Sequence, residues 1–355
     1  MNLDDLGRFA ALDPQGMLQH IDGLPEQLAS AWEIGRSMRL STGAQPRQAV
    51  LAGMGGSAIG ADLVAAYAAS LASVPIVVWR DYGLPGWARG PETLVVVSSH
   101  SGNTEESLSV YDAARSAHAQ LLAISTGGEL ARRAAADGVD LWRFEHRGQP
   151  RTAVGFSYAL VLAALHRLGV LPDPAAEIVQ AVEAMQAQQV KLQAQVPAAN
   201  NPAKRMAGQF VDHWPVVMGS GVLAPVARRW RTQLAEIAKS LGQFEFLPEA
   251  DHNMLAGVQN PEALITRAMV LVLRSTLDHP RNVLRQEATR RILMLEGFNT
   301  DLLDGEGPSP MAHQWTALHF GDYVAFYLAM AYGVDPTPIP AIESLKRRMA
   351  EAAHG

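Results

Sequence analysis

Residues 99–106 read Ser-His-Ser-Gly-Asn-Thr-Glu-Glu and directly follow the apolar run Thr93-Leu94-Val95-Val96-Val97. A β-branched run of that kind predicts a buried parallel strand. The hydroxyls and the glycine predict a turn, and Asn103-Thr104-Glu105-Glu106 opens a helix. Amides at a helix start are unpaired and carry partial positive charge, which suits an anion. Ser99, Ser101 and Thr104 add neutral donors around the same point. The anion expected is a phosphate without an adenine attached, because no lysine stands where the loop G-x-x-x-x-G-K-[ST] needs one. The same residues also make a well-capped turn, since Ser, Asn and Thr favour caps for their own sake.

A second loop strengthens the phosphate reading. Gln48-Ala49-Val50-Leu51-Ala52 predicts a strand, followed by Gly53-Met54-Gly55-Gly56-Ser57-Ala58-Ile59-Gly60 and a helix from Ala61 to Leu71. The glycines match G-x-G-x-x-G superficially. A dinucleotide site also needs an acidic residue at the end of the next strand. Asp81, after Val74 to Trp79, meets that requirement and leaves a nicotinamide nucleotide open on this count. Against it, Ser57 supplies a hydroxyl aimed at phosphate, and the serine-rich loop at 99–104 has no part in dinucleotide binding. Two neighbouring strand-end loops rich in hydroxyls suit one sugar phosphate better.

Gly55-Gly56-Ser57 together with Ser99-x-Ser101-Gly102-Asn103-Thr104-Glu105 resembles a sugar isomerase (SIS) domain. The whole chain resembles the bifunctional phosphoglucose/phosphomannose isomerase family. Further matching blocks follow in order: Pro150-Arg151, Arg229 to Glu236, Leu247 to Asn253, Gly321-Asp322-Tyr323, Gly333 to Pro338 and Leu345-Lys346. The resemblance implies two SIS-type α/β domains, each a parallel sheet flanked by helices in a flavodoxin-like three-layer arrangement. It also implies aldose–ketose isomerisation of glucose-6-phosphate with fructose-6-phosphate, with mannose-6-phosphate as a second aldose, in a homodimer with a shared active site.

Composition sets the outer limits. With 355 residues the chain is long enough for two α/β cores. It is 48% hydrophobic and 18% charged, as an ordinary soluble enzyme is. A net charge of −6 without a basic run argues against a nucleic-acid partner. There is no cysteine, so disulfides and thiolate chemistry are excluded, and the expected location is the cytoplasm. The acidic start Asn2-Leu3-Asp4-Asp5 carries no signal-peptide pattern, and no apolar run is long enough for a membrane span.

The elements that must position the loops follow from periodicity. Helices are expected over Pro14–His20 and Leu24–Leu40, then strands near 48–53, 74–79, 93–98, 120–125 and 140–144 with helices near 57–71, 103–117 and 129–136. That alternation predicts right-handed crossovers and a parallel sheet, with ligand at the carboxyl ends of its strands. Residues 155–212 read as helical, including one long helix from Ala175 to Val196. Trp214 to Met218 followed by Gly219-Ser220-Gly221 repeats the design of residues 48–60, at an offset of about 170 residues. The expected divisions are N-terminal helices over 1–45, a first domain holding phosphate over 46–155, a helical connection over 156–212, a second domain over 213–335 and a C-terminal helix over 336–355. The second copy lacks the Ser-Gly-Asn-Thr cluster, so it is expected to lend catalytic groups.

Interconverting an aldose phosphate and its ketose moves a proton between C1 and C2. One carboxylate on one face of a cis-enediol does this without a metal or redox cofactor, given a positive partner for the enediolate. A separate acid/base must open the cyclic sugar. Glu236 lies in a helix expected over Pro225–Ser240, among Leu234, Ala235, Ile237 and Ala238. Apolar neighbours would desolvate it, although it equally reads as a surface glutamate paired with Lys239. The resemblance assigns Glu236 as the base, His252 as the ring opener contributed across the dimer interface, and Arg151 as the enediolate's cation. It adds Gly56 and Ser57 to the phosphate site and makes Lys346 a further cation. No ligand cluster for a metal stands near His252, and neither metal nor cofactor is expected. Two departures from the family pattern are His100, where tyrosine is usual, and Met254, where glutamate is expected. Thr337 is the nearest candidate for a threonine that tolerates both epimers.

The rival readings are an isomerase of another sugar phosphate and a non-catalytic SIS regulator, the latter usually joined to an N-terminal DNA-binding helix set. Residues 1–45 are short and acidic-to-neutral for that. Ser101→Ala should raise the KM for the phosphorylated sugar by the equivalent of about 1.5–3 kcal/mol, one hydrogen bond to a charged group. Steady-state kinetics would check it, and an unchanged KM would remove Ser101 from the phosphate site.

Overall fold

In the computed structural model, which describes residues 2–41 and 45–352, every expected strand of the first half forms. These are β1 (Gln48–Ala52), β2 (Ile76–Trp79), β3 (Thr93–Ser99), β4 (Gln120–Ser125) and β5 (Asp140–Arg143). All pair in parallel, in the order β2-β1-β3-β4-β5. In β1, Leu51 faces Val78 on one side and Val96 on the other, and β3 is buried along its whole length. An unbroken apolar run makes a strand of this kind because helices cover both faces of a parallel sheet. The second half builds β6 (Trp214–Gly219), β7 (Gln243–Phe246), β8 (Ala268–Arg274) and β9 (Asn299–Asp304), also parallel, in the order β7-β6-β8-β9. That order matches β2-β1-β3-β4, so the repeat suggested by two glycine loops extends to strand connectivity.

The helices are α1 (Leu6–Leu12), α2 (Met17–Asp22) and α3 (Leu24–Ser37), then α4 (Gly55–Ala68), α5 (Glu105–Ser116) and α6 (Gly128–Asp137) of the first sheet. A connecting set follows, α7 (Val154–Arg167), α8 (Ala175–Gln189) and α9 (Pro202–Phe210). The second half adds α10 (Ala224–Glu236), α11 (Glu262–Ile265), α12 (Pro280–Leu295), α13 (Pro310–Tyr332) and α14 (Pro340–Ala352). None of the described helices is long and apolar enough to cross a membrane. The terminal segments expected over 1–45 and 336–355 reach past the described residues, since 1, 42–44 and 353–355 lie outside them.

Several boundaries differ from the sequence expectation: α2 and α3 end at Asp22 and Ser37 rather than His20 and Leu40, and α4 starts at Gly55 within the glycine loop rather than at Ala61. The helix expected to run to Val196 stops at Gln189. The turns after it are held by Asn201, whose Nδ2 donates to the Leu192 and Gln193 carbonyls (2.9 and 3.1 Å) while its Oδ1 caps α9 by accepting from the Ala203 and Lys204 amides. The helix expected to run to Ser240 ends at Glu236. Lys239 takes a left-handed φ of 56°, and the Ser240 amide turns back to the Leu234 carbonyl at 3.0 Å. That is a helix stop usually built on glycine, made here with a lysine.

The core joins the two halves. Helix α13 is buried from Met311 to Met330, and α7 from Val154 to Leu165. Gly321 of α13 makes the approach of α10 possible, because a Cβ there would lie 2.3 Å from Trp230 Nε1. That indole donates to the Ala317 carbonyl at 2.9 Å. Beside it a guanidinium and a carboxylate are buried together: Arg229 Nη2 lies 2.6 Å from Asp322 Oδ2, and Gln233 Nε2 donates to Asp322 Oδ1 at 3.0 Å. Asp322→Ala would leave the Arg229 charge buried and unpaired, at an expected cost of about 3–5 kcal/mol. Urea denaturation of the two proteins measures it, and a loss below about 1 kcal/mol would show that water reaches Arg229.

Candidate active site

The two hydroxyl loops sit at the carboxyl ends of the adjacent strands β1 and β3. Ser57 is buried in the first turn of α4, and Ser99 is buried at the end of β3. Ser99 Oγ lies 3.0 Å from Thr104 Oγ1 and accepts the Gly102 amide at 3.1 Å. Exposed Ser101 accepts the Asn103 amide at 3.2 Å. The loop closes tightly because Gly102 has φ 69°, and a Cβ there would stand 1.9 Å from the Gly127 carbonyl oxygen. Thr104 precedes α5 without capping it through its side chain, so the amides of the first turn stay open to a ligand. Gly56 carries no Cβ for a comparable reason: one would sit 2.6 Å from the Pro150 carbonyl oxygen and 3.3 Å from the Arg151 amide. The first turn of α4 therefore lies directly against the turn that carries Arg151.

The Arg151 side chain is 2% exposed. One Nη2 reaches the carbonyls of Pro336 (3.0 Å) and Thr337, and Nη1 stands 3.5 Å from Glu236 Oε2. Burial draws its pKa down, partly opposed by Glu236. Arg229 Nη2 holds the Arg151 carbonyl at 3.2 Å, so the buried pair between α10 and α13 also fixes this turn. Glu236 is the last residue of α10, with its side chain 26% exposed. Its neighbours Leu234, Ile237 and Ala238 face the core, so its closest charged partner is Arg151 rather than an apolar wall. Two buried polar atoms next to this pair have no partner among the described residues, Arg151 Nε and Thr337 Oγ1.

The structure thus brings Gly56, Ser57, Ser99, Ser101, Thr104, Arg151, Glu236 and Thr337 to one region. It does not bring His252 or Lys346 to them within this chain. His252 is exposed at the end of the short turn Glu249–His252, and its ring has no hydrogen bond among the described residues. The turn itself is anchored, since Asp251 pairs with Arg285 (3.0 Å) and accepts from Thr289 (2.7 Å) of α12. Lys346 is exposed on α14. Met254, beyond His252, lines an apolar groove with Trp214, Leu264 and Phe298. No group of three or more His, Asp or Glu among the described residues is arranged to hold a metal.

The second sheet treats its equivalent position differently. Ser220 donates to Asp278, which follows β8, and Gln286 Nε2 donates to Ser220 Oγ at 2.7 Å. A Cβ on Gly221 would meet Asp278 Oδ1 at 2.8 Å. An internal carboxylate occupies the strand-end position of this half.

Lys239, which the sequence offers only as a surface partner for the Glu236 carboxylate, makes different contacts at the site. Lys239 is exposed along its stem, but its Nζ donates to the Glu236 carbonyl (2.6 Å) and to the Pro336 carbonyl (3.3 Å), which Arg151 also uses. As a sequence position it looks like any lysine near a helix end, and only its left-handed backbone turns it inward.

Comparison with known proteins follows these contacts. Residues 199–349 match the family model described as the bacterial phospho-glucose isomerase C-terminal SIS domain. A bifunctional phosphoglucose/phosphomannose isomerase of Caldicellulosiruptor bescii is 34% identical over 339 residues, covering 94% of this chain and 99% of that one. The protein of the same description from Aquifex aeolicus is 33% identical, covering 86% and 91%. Among solved structures, a hypothetical protein of Thermus thermophilus superposes with a TM-score of 0.75 at 16% identity, covering 98% of this chain and 93% of that chain. A tagatose-6-phosphate ketose/aldose isomerase from Escherichia coli gives 0.66 at 17% identity, covering 90% and 94%. These two superpositions establish the fold alone.

Lost hydration, and then the Arg151 charge, bring the Lys239 ammonium down to about 8, with Asp335 and Glu236 pulling the other way. The group is charged below that pH and neutral above it, so the cation next to Glu236 and Pro336 disappears as pH rises through about 8. Catalysis at this site should therefore decline on the alkaline side of about pH 8. Lys239→Arg should move that limb upward, by more than about one pH unit given the arginine's higher pKa. A pH–rate profile tests it, and an alkaline limb at the same position in both proteins would assign it to another group.

Proposed function

The chain belongs to the bifunctional phosphoglucose/phosphomannose isomerase family, and on that premise we propose that this enzyme interconverts glucose-6-phosphate and fructose-6-phosphate, taking mannose-6-phosphate as a second aldose. The observation that carries the reading is the Arg151–Glu236 pair, 3.5 Å apart, beside two buried polar atoms without partners and against the first turn of α4. A sugar phosphate needs an anion site and, one sugar's length away, a carboxylate facing a cation, and these are the groups that converge here.

In this reading Gly56, Ser57, Ser99, Ser101 and Thr104 hold the phosphate on open amides and hydroxyls. His252 of a second copy protonates the ring oxygen while the C1 hydroxyl gives up its proton, which opens the sugar. Glu236 then removes the proton from C2 of the open aldose. The electrons of that C–H bond form the C1–C2 double bond, and the carbonyl oxygen at C1 gains negative charge that Arg151 and Lys239 stabilise. Once the O2 proton has passed to O1, Glu236 returns its own proton to C1 on the same face, and the ketose forms. A carboxylate at the end of a helix meets the negative pole of the backbone, and the two cations offset that field. Lys346 adds a cation from α14. In this reading the exposed His252 ring, without a hydrogen bond among the described residues, reaches the site of a second copy in a homodimer, and the enzyme acts in the cytoplasm. The division of labour between residues 46–155, for phosphate, and 213–335, for catalysis, goes with this reading.

Glu236→Gln should reduce turnover by about 10²–10⁴ and abolish exchange of the C2 proton with deuterated water, while sugar-phosphate binding persists. His252→Ala should be milder, because some sugar opens unaided. Mixing the two variants should give hybrid dimers with more activity than the two contribute separately, measured by NMR of fructose-6-phosphate in deuterated water. Exchange at the unaltered rate in Glu236→Gln would mean that another group is the base, and hybrids without added activity would confine each site to one chain.

A further inference from the structure

His100, in the middle of the hydroxyl loop, is the near end of a chain of hydrogen bonds that fixes its protonation pattern. Three histidines from distant segments meet here: His20 of α2, His100 and His146 beyond β5. The rings of His100 and His146 have centroids 5.1 Å apart, and those of His20 and His146 are 5.4 Å apart. Phe144 and Phe156, stacked at 4.7 Å, wall the cluster. The pattern follows from the far end inward. The Thr152 hydroxyl donates its one proton to the Gln149 carbonyl at 2.8 Å. His146 Nε2, 3.4 Å from Thr152 Oγ1, must then donate to that hydroxyl oxygen. A neutral His146 consequently has a bare Nδ1, and this nitrogen accepts from His100 Nε2, 3.0 Å away. His100 Nδ1 is left with a lone pair and no partner among the described residues. This assignment is inferred from the network, as a tautomer must be.

His100 stands between Ser99 and Ser101 in the loop, so a positive charge on its ring would attract an anion held there, whereas the neutral ring offers none. We propose that His100 takes up one proton when an anion enters the Ser99–Thr104 loop, so that substrate binding is coupled to charging of the His100–His146–Thr152 chain. The inference rests on the reading that this loop holds the phosphate. The proton comes from solvent, forms the Nδ1–H bond of an imidazolium and leaves when the anion does. No other bond changes.

The surroundings keep His100 neutral until then. Burial lowers its proton affinity, and no carboxylate or guanidinium acts on it from the elements packed against it. Those elements present Phe144 and His146 from beyond β5, Phe156 from α7, and Thr126 from the turn after β4, which donates to the His100 carbonyl at 2.7 Å. His146 is held at about 4 by burial and then by His100 and His20. His20 is itself lowered by burial and raised by Asp13. A tyrosine, usual at this position in the family pattern, could donate to an anion but could not add a positive charge to the loop.

Sulfate is the discriminating probe, because it stays a dianion over the range from about pH 5.5 to 8.5 in which an ordinary histidine titrates. Its inhibition constant against fructose-6-phosphate should rise by up to about tenfold per pH unit above the His100 titration, as linkage to a single proton requires. His100→Gln should bind sulfate with an affinity that is flat over the same range. In the unaltered protein, calorimetry in buffers of different ionisation heat should find uptake of up to about one proton per sulfate. A flat profile or no uptake in the unaltered protein overturns the proposal, as does the same slope in His100→Gln. Should His100→Gln fail to fold, the calorimetric result decides alone. No competition by sulfate at any pH, with Ser101→Ala also leaving KM unchanged, would overturn the loop's phosphate role itself, a result distinct from competition without pH dependence.

Discussion

Arg229 and Asp322 face each other at 2.6 Å inside the junction of α10 and α13, both nearly sealed from solvent. Two charges removed from water are tolerated when further hydrogen bonds hold them: Gln233 donates to the second carboxylate oxygen, and Arg229 Nη2 donates to the Arg151 carbonyl as well as to Asp322. This restraint reaches the site in two directions. It sets the rotation and height of α10, and with them the place where Glu236 ends the helix. It also fixes the turn at 150–152, from which the Arg151 side chain returns to meet Glu236. A hydrophobic pair of similar volume would hold two helices together as well, but it would tolerate sliding. A charged pair with specified partners does not, and a proton transfer between neighbouring carbons tolerates little misplacement.

The two sheets show one topology put to two electrostatic uses. In the first, the strand ends leave amides and hydroxyls open around a point where an external anion can sit. In the second, Asp278 already occupies the equivalent point, with Ser220 donating to it. The strand order is the same, and the second half carries its negative charge within the chain. The difference lies in the loop after the third strand of each half, where the second has Asp278 and lacks the Ser-Gly-Asn-Thr cluster, whereas the framework around it depends on many apolar positions.

Much of the framework was legible because parallel strands are short apolar runs that end in glycine or hydroxyl loops, and β1, β3, β6 and β8 are all of this type. Helix α13 was not, since burial on every side erases the polar face that a 3.6-residue period needs. The hydroxyl loops could be read as a candidate anion site from their residue types alone. The approach of Arg151 to Glu236 could not, because the two are far apart in sequence and meet only through α10 and α13. Lys239 was legible only as a surface partner for the Glu236 carboxylate; nothing in a lysine foretells the left-handed turn that takes its ammonium to the Glu236 and Pro336 carbonyls instead. The histidine chain was hidden likewise, since His20, His100 and His146 have no spacing in common. For His252 and Lys346, motif resemblance proposed roles that one chain alone does not assemble.

The buried helix α13 also bears on how the chain is made. It begins at Pro310, yet it forms a wall of the core against which α8, α9 and α10 pack, and Phe326 near its end meets Phe9 of α1 edge-on with centroids 5.8 Å apart. A chain leaving the ribosome from its first residue therefore carries α1, α8, α9 and α10 without the wall that α13 supplies, although α8 can already pack on α3 and α10 on α4 and β6, until the last part of the message has been read. The first sheet can pair its strands early, but the interior cannot close until synthesis is nearly complete. For that interval the nascent protein depends on whatever shields apolar surface in the cell, and a message cut short before α13 yields a chain with no means of covering its own core.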